Sequence, residues 1–358
     1  MDCKSFKISQ TCIESHFPLV FDSAEDAAAK FAALAEKMRA DGLSLVTLEL
    51  FAPSGYAGAA RRFKADLGAE GAPVMHVLPL DGSSSPLLAG AHAVALKGAD
   101  VEFRRSPKGS SAALYNAGDA EFCRILGVAL EDGGCPADIY TEASIRELED
   151  VLAGCGFAFS DVVRTWFFNR DILGWYDGFN AGRTRFFKSR GVFGGLLPAS
   201  TGIGGPNPRG TRIQCGVLAA KGAAAAGRAR EIPSPLQCGA TDYGSSFSRA
   251  VEMDYPAYRR VVVSGTASIA PGGETLYCGD IDAQVDLTMR VIGGILESRG
   301  MGFGDVHRAV AYCMDPGHYA AFRRWCGRNV EIPHVPAYNT VCRSDLMFEV
   351  ELDAAVEK

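Results

Sequence analysis

Apolar and polar positions follow the same order three times along the chain. In the C-terminal third, Val261-Val262-Val263 reads as a buried strand running through Ser264-Gly265-Thr266-Ala267-Ser268-Ile269 to a turn at Pro271-Gly272-Gly273. Asp280 then caps a helix in which Ile281, Val285, Leu287, Met289, Ile292 and Ile295 recur at helical spacing up to Gly300. An alternating strand at Asp305–Tyr312 follows, then a shorter helix at Tyr319–Trp325 and Pro336. A strand at Tyr338–Cys342, a polar break at Arg343-Ser344-Asp345 and a strand at Met347–Leu352 close the unit.

The middle third repeats this order with a helix at Glu142–Ala153, a strand at Asp161–Phe168, a helix at Trp175–Lys188, Pro198 and a strand at Arg212–Ala219. Gly156, Phe159, Asp161 and Val162 match Gly300, Phe303, Asp305 and Val306 in internal spacing. A weaker copy opens the chain: helix Ala24–Asp41, Gly42, strand Leu45–Phe51, helix Tyr56–Leu67, Pro73, and strands at Val74–Leu78 and His92–Leu96. Recurrence at this scale predicts three α+β modules in one chain. They are expected at residues 1–100, 101–222 and 247–358, with an Ala/Pro-rich linker at 223–246 and an exposed loop at Pro79–Pro86. Hairpin-like pairing of Ala112–Tyr115 with Phe122–Val128 implies antiparallel sheet and disfavours a doubly wound parallel fold.

Composition narrows the function classes. With 358 residues, 47% hydrophobic and 22% charged, the chain is a folded globular protein of more than one unit. A net charge of −6 argues against a nucleic-acid partner. No apolar run spans a bilayer, and Met1-Asp2-Cys3-Lys4-Ser5-Phe6 lacks a signal pattern, so no membrane partner and a cytoplasmic location are expected. The 11 cysteines form no CxxC pair and the 6 histidines no HExxH, so neither a metal nor another cofactor is expected.

The third unit resembles a module of the Rid (reactive-intermediate deaminase) superfamily, also called YjgF-like or endoribonuclease L-PSP-like. The resemblance lies in Val263-Ser264-Gly265, Gly279–Gln284 and Phe348-Glu349-Val350-Glu351. Five further runs, in order, resemble the chorismatases within it: Arg164-Thr165-Trp166, Tyr176–Arg183, Pro198–Gly204, Ser264–Ile269 and Cys342–Glu349. The segment between Trp166 and Tyr176 is shorter than in typical chorismatases, and a Gly-Pro-Arg element before Phe247-Ser248-Arg249-Ala250 is absent. Rid proteins are homotrimers with sites between subunits. The resemblance therefore implies an intramolecular pseudo-trimer of three tandem Rid-like, chorismate-mutase-like modules, as a monomer or weak dimer.

The resemblance also implies hydrolysis of an enol ether, chorismate to pyruvate plus a cyclohexadiene or hydroxybenzoate product, on a small carboxylate-bearing metabolite. Glu349 matches the catalytic glutamate, a role that suits a carboxylic acid held in apolar surroundings; without the resemblance it reads sooner as a polar residue on an exposed sheet face. Alternation puts Glu351 on the same face, where solvent or a partner must accommodate one of the two. Arg164 and Arg183, with Arg249 as a third, are candidate carboxylate anchors, since guanidinium meets carboxylate bidentately; solvated surface arginines are the alternative. Tyr176 and Gly204 belong to the matching runs, and the backbone amides around Gly204 are candidate oxyanion donors. Ala267 and Cys342 match product-determining positions, although such a cysteine is otherwise a small buried hydrophobe. A Rid-type enamine or imine deaminase is the second reading, but the arginine it needs two residues after the proline is replaced by Tyr338, Ser200 and Met75. A non-catalytic ligand-binding protein is the third.

Overall fold

Three mixed sheets, each backed by two helices, follow one another along the chain in a computed structural model that describes residues 3–80 and 88–358. The first sheet contains β1 (Lys4–Lys7), β2 (Ile13–Val20), β3 (Ser44–Phe51), β4 (Val74–Val77) and β5 (Gly90–Lys97), with α1 (Ala24–Asp41) and α2 (Ala57–Asp66). The second contains β6 (Val101–Arg105), β7 (Ser111–Ala117), β8 (Ala120–Val128), β9 (Val162–Asn169), β10 (Ala199–Gly204) and β11 (Ile213–Ala220), with α3 (Ala137–Gly154) and α4 (Ile172–Ser189). The third contains β12 (Ala229–Ile232), β13 (Ala250–Asp254), β14 (Tyr258–Ala267), β15 (Val306–Cys313), β16 (Val335–Tyr338) and β17 (Phe348–Glu357), with α5 (Ile281–Glu297) and α6 (His318–Arg328). The strand orders β1-β2-β5-β3-β4, β7-β8-β11-β9-β10 and β13-β14-β17-β15-β16 are the same, and only the β3–β4, β9–β10 and β15–β16 pairs are parallel. The chain is an α+β pseudo-trimer of three tandem modules.

Local chemistry explains the repeated sequence signature. The helix before β9 ends at Gly156 (φ 82°) and the one before β15 at Gly300 (φ 66°), left-handed positions that glycine adopts without strain. Asp161 then accepts the Ala158 N–H at 2.8 Å, and Asp305 accepts the Gly302 N–H at 2.8 Å. Each aspartate fixes the turn that starts the strand. Ser23, Asp171 and Asp280 cap α1, α4 and α5 by accepting an amide three residues on.

Each sheet packs one face on its own helices and turns the other inward. On β17, Phe348, Val350, Leu352 and Ala354 enter the core against α5 and α6, so Glu349, Glu351 and Asp353 face the interior shared by all three sheets. Pairing register makes Phe51, Phe168 and Tyr312 equivalent: they lie opposite Gly90, Gln214 and Glu349. Their rings meet one another at 5.9, 5.9 and 6.3 Å between centroids, which marks the pseudo-threefold axis.

Several elements differ from the sequence reading. Residues 223–246 are more than a linker, because Ala229–Ile232 pairs with β13 as the edge of the third sheet. The strand expected at Tyr338–Cys342 lies earlier, at Val335–Tyr338, with Pro336 on an edge strand where its missing N–H is tolerated. Thr201-Gly202-Ile203-Gly204, assigned to no strand in the sequence reading, belongs to β10. The loop expected at Pro79–Pro86 falls mostly on 81–87, outside the described residues. Among the described residues no helix is long and apolar enough to cross a membrane.

Candidate active site

A cleft between the second and third modules gathers most of the sequence candidates. Its walls include Tyr176, Phe179 and Arg183 from α4, Ser200 and Gly202 from β10, and Gly265 and Ala267 from β14. The segment before β13 adds Tyr243, Phe247 and Arg249, and the stretch up to β17 adds Cys342, Arg343, Leu346 and Glu349. The enclosed part holds about 50 Å³ and opens past Tyr176, Tyr243 and Arg343 into a groove lined by Asp177, Asn180 and Thr184.

Glu349 is the one acid lining this cleft among the described residues, and only 5% of it is exposed. Its carboxyl makes no ion pair or side-chain hydrogen bond among the described residues. Burial, then the neighbouring charge of Glu351, pushes it up to about 8, with Arg249 pulling the other way. Near neutral pH it is a carboxylic acid with a proton to give. Gly265 makes room for it: a Cβ at that position would run into Glu349 Oε1. The "Ser-Gly" of the strand is therefore a space requirement.

Among the described residues the guanidiniums opposite have no anionic partner. Arg183 is 2% exposed, donates to Asn180 Oδ1 at 2.7 Å, lies 4.8 Å from the Phe179 ring, and leaves its Nε without a partner among the described residues. Burial draws it down to about 10, still charged at neutral pH. Gly182 explains its aim, since a Cβ there would meet Asp138 O and Thr141 of α3, so the two helices touch and Arg183 is turned toward the cleft. Arg249 donates from Nε to Cys238 O at 2.9 Å, sits between Tyr243 and Phe247, and leaves Nη2 unpartnered among the described residues. Arg343 spends one nitrogen on Gly273 O at 2.7 Å and stacks on Tyr243. A buried cation without a counter-ion is a site for an anion.

Two candidates lie elsewhere. Arg164 is fully buried beneath the cleft, where it donates to Glu351 Oε2 at 2.7 Å and Asp353 Oδ1 at 2.6 Å. Its charge is spent inside the protein, so it is no substrate anchor. Gly204 is outside the cleft lining, and its N–H is committed to Thr340 O at 2.7 Å, so it offers no free oxyanion donor. Cys342 stands in the wall, where burial and then Glu349 push its thiol up to about 12, which leaves it protonated and a poor nucleophile. Ser200, Gly202, Tyr243, Phe247, Gly265 and Arg343 are cleft residues that the sequence reading did not select.

Among the described residues the cleft occurs once around the pseudo-threefold axis. Register makes Gly90 and Gln214 the equivalents of Glu349. A Cβ on Gly90 would come within 2.7 Å of Val335 Cγ1, so that boundary is packed shut. The Gln214 boundary is closed by the backbone of Val74 against Gly127, the equivalent of Gly265.

Comparison with known proteins agrees with this architecture. Residues 241–357 match the family described as Endoribonuclease L-PSP. A solved structure described as chorismatase superposes with a TM-score of 0.67 at 21% identity, covering 87% of this chain and 93% of that one. The fold is that of a chorismatase. A chorismatase of Streptomyces rapamycinicus is 27% identical over 254 residues, 63% of this chain and 73% of that protein. A chorismatase of Streptomyces hygroscopicus is 30% identical over 217 residues, 53% of this chain and 60% of that protein. The chain is Rid-like and chorismatase-like, and its open cleft is formed with the third module, where the family match lies.

Proposed function

We propose that the chain is a chorismatase-like hydrolase that cleaves the enol-ether side chain of a small dicarboxylate, chorismate being the substrate to test. The observation that carries this reading is a buried carboxyl, Glu349, enclosed with guanidiniums that have no carboxylate of their own among the described residues, in surroundings that favour its protonated form. An enol ether is stable until its methylene carbon takes a proton, and Glu349 is a proton donor in the right ionisation state. Protonation gives an oxocarbenium ion. Water then adds at the ether carbon and returns a proton to the Glu349 carboxylate, and the hemiketal collapses to pyruvate and the ring alcohol. Arg183 and Arg249 serve as carboxylate anchors, with Tyr176 and Arg343 at the mouth. Ala267 and Cys342 line the wall where ring substituents would rest and so bear on which product forms. No step calls for a metal or cofactor.

The test is incubation with chorismate, enzymatic detection of pyruvate and chromatography of the ring product. Pyruvate with one ring product supports the reading, and unconsumed chorismate refutes it.

A further inference from the structure

Five charged side chains beneath the cleft form an unbroken buried chain. Asp353 Oδ1 meets Arg164 Nη1 at 2.6 Å, and Arg164 Nη2 meets Glu351 Oε2 at 2.7 Å. Glu351 Oε1 meets Arg308 Nη2 at 2.5 Å, and Arg308 meets Glu49 Oε1 at 2.6 Å and Oε2 at 2.9 Å. The Trp166 indole also donates to Glu351, at 3.1 and 3.2 Å. None of the five side chains is more than 6% exposed. Three carboxylates (Asp353, Glu351, Glu49) alternate with two guanidiniums (Arg164, Arg308), so the chain carries one negative charge in surplus. The imidazole of His92 touches Glu49 at 3.1 Å, but burial holds it neutral and it does not cancel the surplus. The compensating positive surplus is Arg124 and Arg260 on Glu14, with Arg124 also within electrostatic reach of Asp353, the end of the chain, rather than of Glu351 in its middle.

We propose that Glu351 is a positioning residue for the hydrolysis: as the middle anion of this buried chain, it adds to burial in keeping the proton on Glu349. The inference rests on the reading of Glu349 as the acid. Glu351 occupies the next inward-facing position of β17, with no charged group between the two along the strand. The other groups facing Glu349 are Arg249, Arg343 and Arg183, which oppose the effect, and the neutral Cys342, Tyr176, Tyr243 and, across the strand pair, Tyr312. Without Glu351, burial alone would oppose the arginines, and Glu349 would give up its proton at lower pH.

The test reads the proton without substrate. Infrared difference spectra between wild type and Glu349→Gln isolate the protonated carboxyl band of Glu349, which is then titrated. The wild-type band should disappear with a midpoint near 8. Glu351→Gln should move that midpoint down by roughly one pH unit or more, the size of effect a nearby like charge exerts, and Glu351→Asp should largely restore it. Should Glu351→Gln not fold, Arg164→Met, which removes a cation, should move the midpoint up. An unmoved midpoint in folded Glu351→Gln, or in Arg164→Met if it stands in, overturns the proposal. A wild type with no such band at pH 6 overturns the acid assignment itself, and failure to consume chorismate overturns only the hydrolase reading.

Discussion

Glu349 and Glu351 stand two residues apart on one face of β17, yet among the described residues only Glu351 is in contact with guanidinium groups. Burial raises the cost of ionising both. For Glu351, Arg308 and then Arg164 outweigh it and hold the carboxyl below its ordinary range. For Glu349 nothing does, and the proton stays. One strand thus presents a fixed anion and an available acid, distinguished by their neighbours.

The rate of the chemical step should follow the acid form of Glu349, falling as pH rises through about 8. The same proton links to stability. The folded-state pKa lies above the unfolded value, so its stabilising contribution is complete below about 4.5 and is lost as pH rises to about 8. Glu349→Gln, which cannot ionise, should therefore gain in Tm over wild type between pH 5 and 8 and level off above. A gap that stays constant across this range would contradict the raised pKa.

The two arginines should behave differently. Arg183→Ala removes a cleft cation and should raise KM by about tenfold or more with denaturation midpoints near wild type. Arg164→Ala leaves Glu351 and Asp353 buried with a lost partner and should cost on the order of 3–5 kcal/mol of unfolding free energy. Urea titration alongside KM separates them, and an Arg164→Ala variant of normal stability with raised KM would restore Arg164 as an anchor.

Gly265→Ala should leave the fold intact and displace the Glu349 carboxyl, since the added methyl meets chiefly the far end of that side chain, with Thr201 Cγ2 at 3.3 Å the next contact. A displacement of about 1 Å can cost roughly 100-fold in rate. Gly127→Ala, at the equivalent place in the second module, meets backbone at Val74 with φ +79° and should instead destabilise the protein. Thermal melts and steady-state rates on both variants check the contrast, and equal stability losses would contradict it.

The sequence was most legible where local chemistry decides the structure. The limits of α1 follow from Ser23 and Gly42, and the turn before β9 and β15 follows from one spacing of Gly, Phe and Asp. It was least legible where a residue's partner is remote. Arg164 in an apolar strand clearly needed a partner, but the partners are Glu351 and Asp353, 187 and 189 residues away, and nothing local separates that outcome from substrate binding. The strand β10, Ala-Ser-Thr-Gly-Ile-Gly, lacks a periodic apolar face because it is buried against the third module through polar contacts: Ser264 Oγ accepts the Ser200 N–H at 2.9 Å, and Thr201 Oγ1 accepts the Gly265 N–H at 3.2 Å. Tyr243 reaches the cleft from a single 3-10 turn at Ala240–Tyr243 and Arg343 from a connecting segment, too short for a hydrophobic period to record their direction.

The most direct measurement is pyruvate release from chorismate by wild type and by Glu349→Gln under single-turnover conditions. Loss of general acid catalysis typically costs on the order of 10²–10⁴-fold. The wild type should release pyruvate without added metal, and Glu349→Gln should be slower by about that factor while binding substrate nearly as well. A wild type that consumes chorismate while Glu349→Gln keeps pace would contradict the account, because the cleft holds no second acid among the described residues to take over the proton transfer.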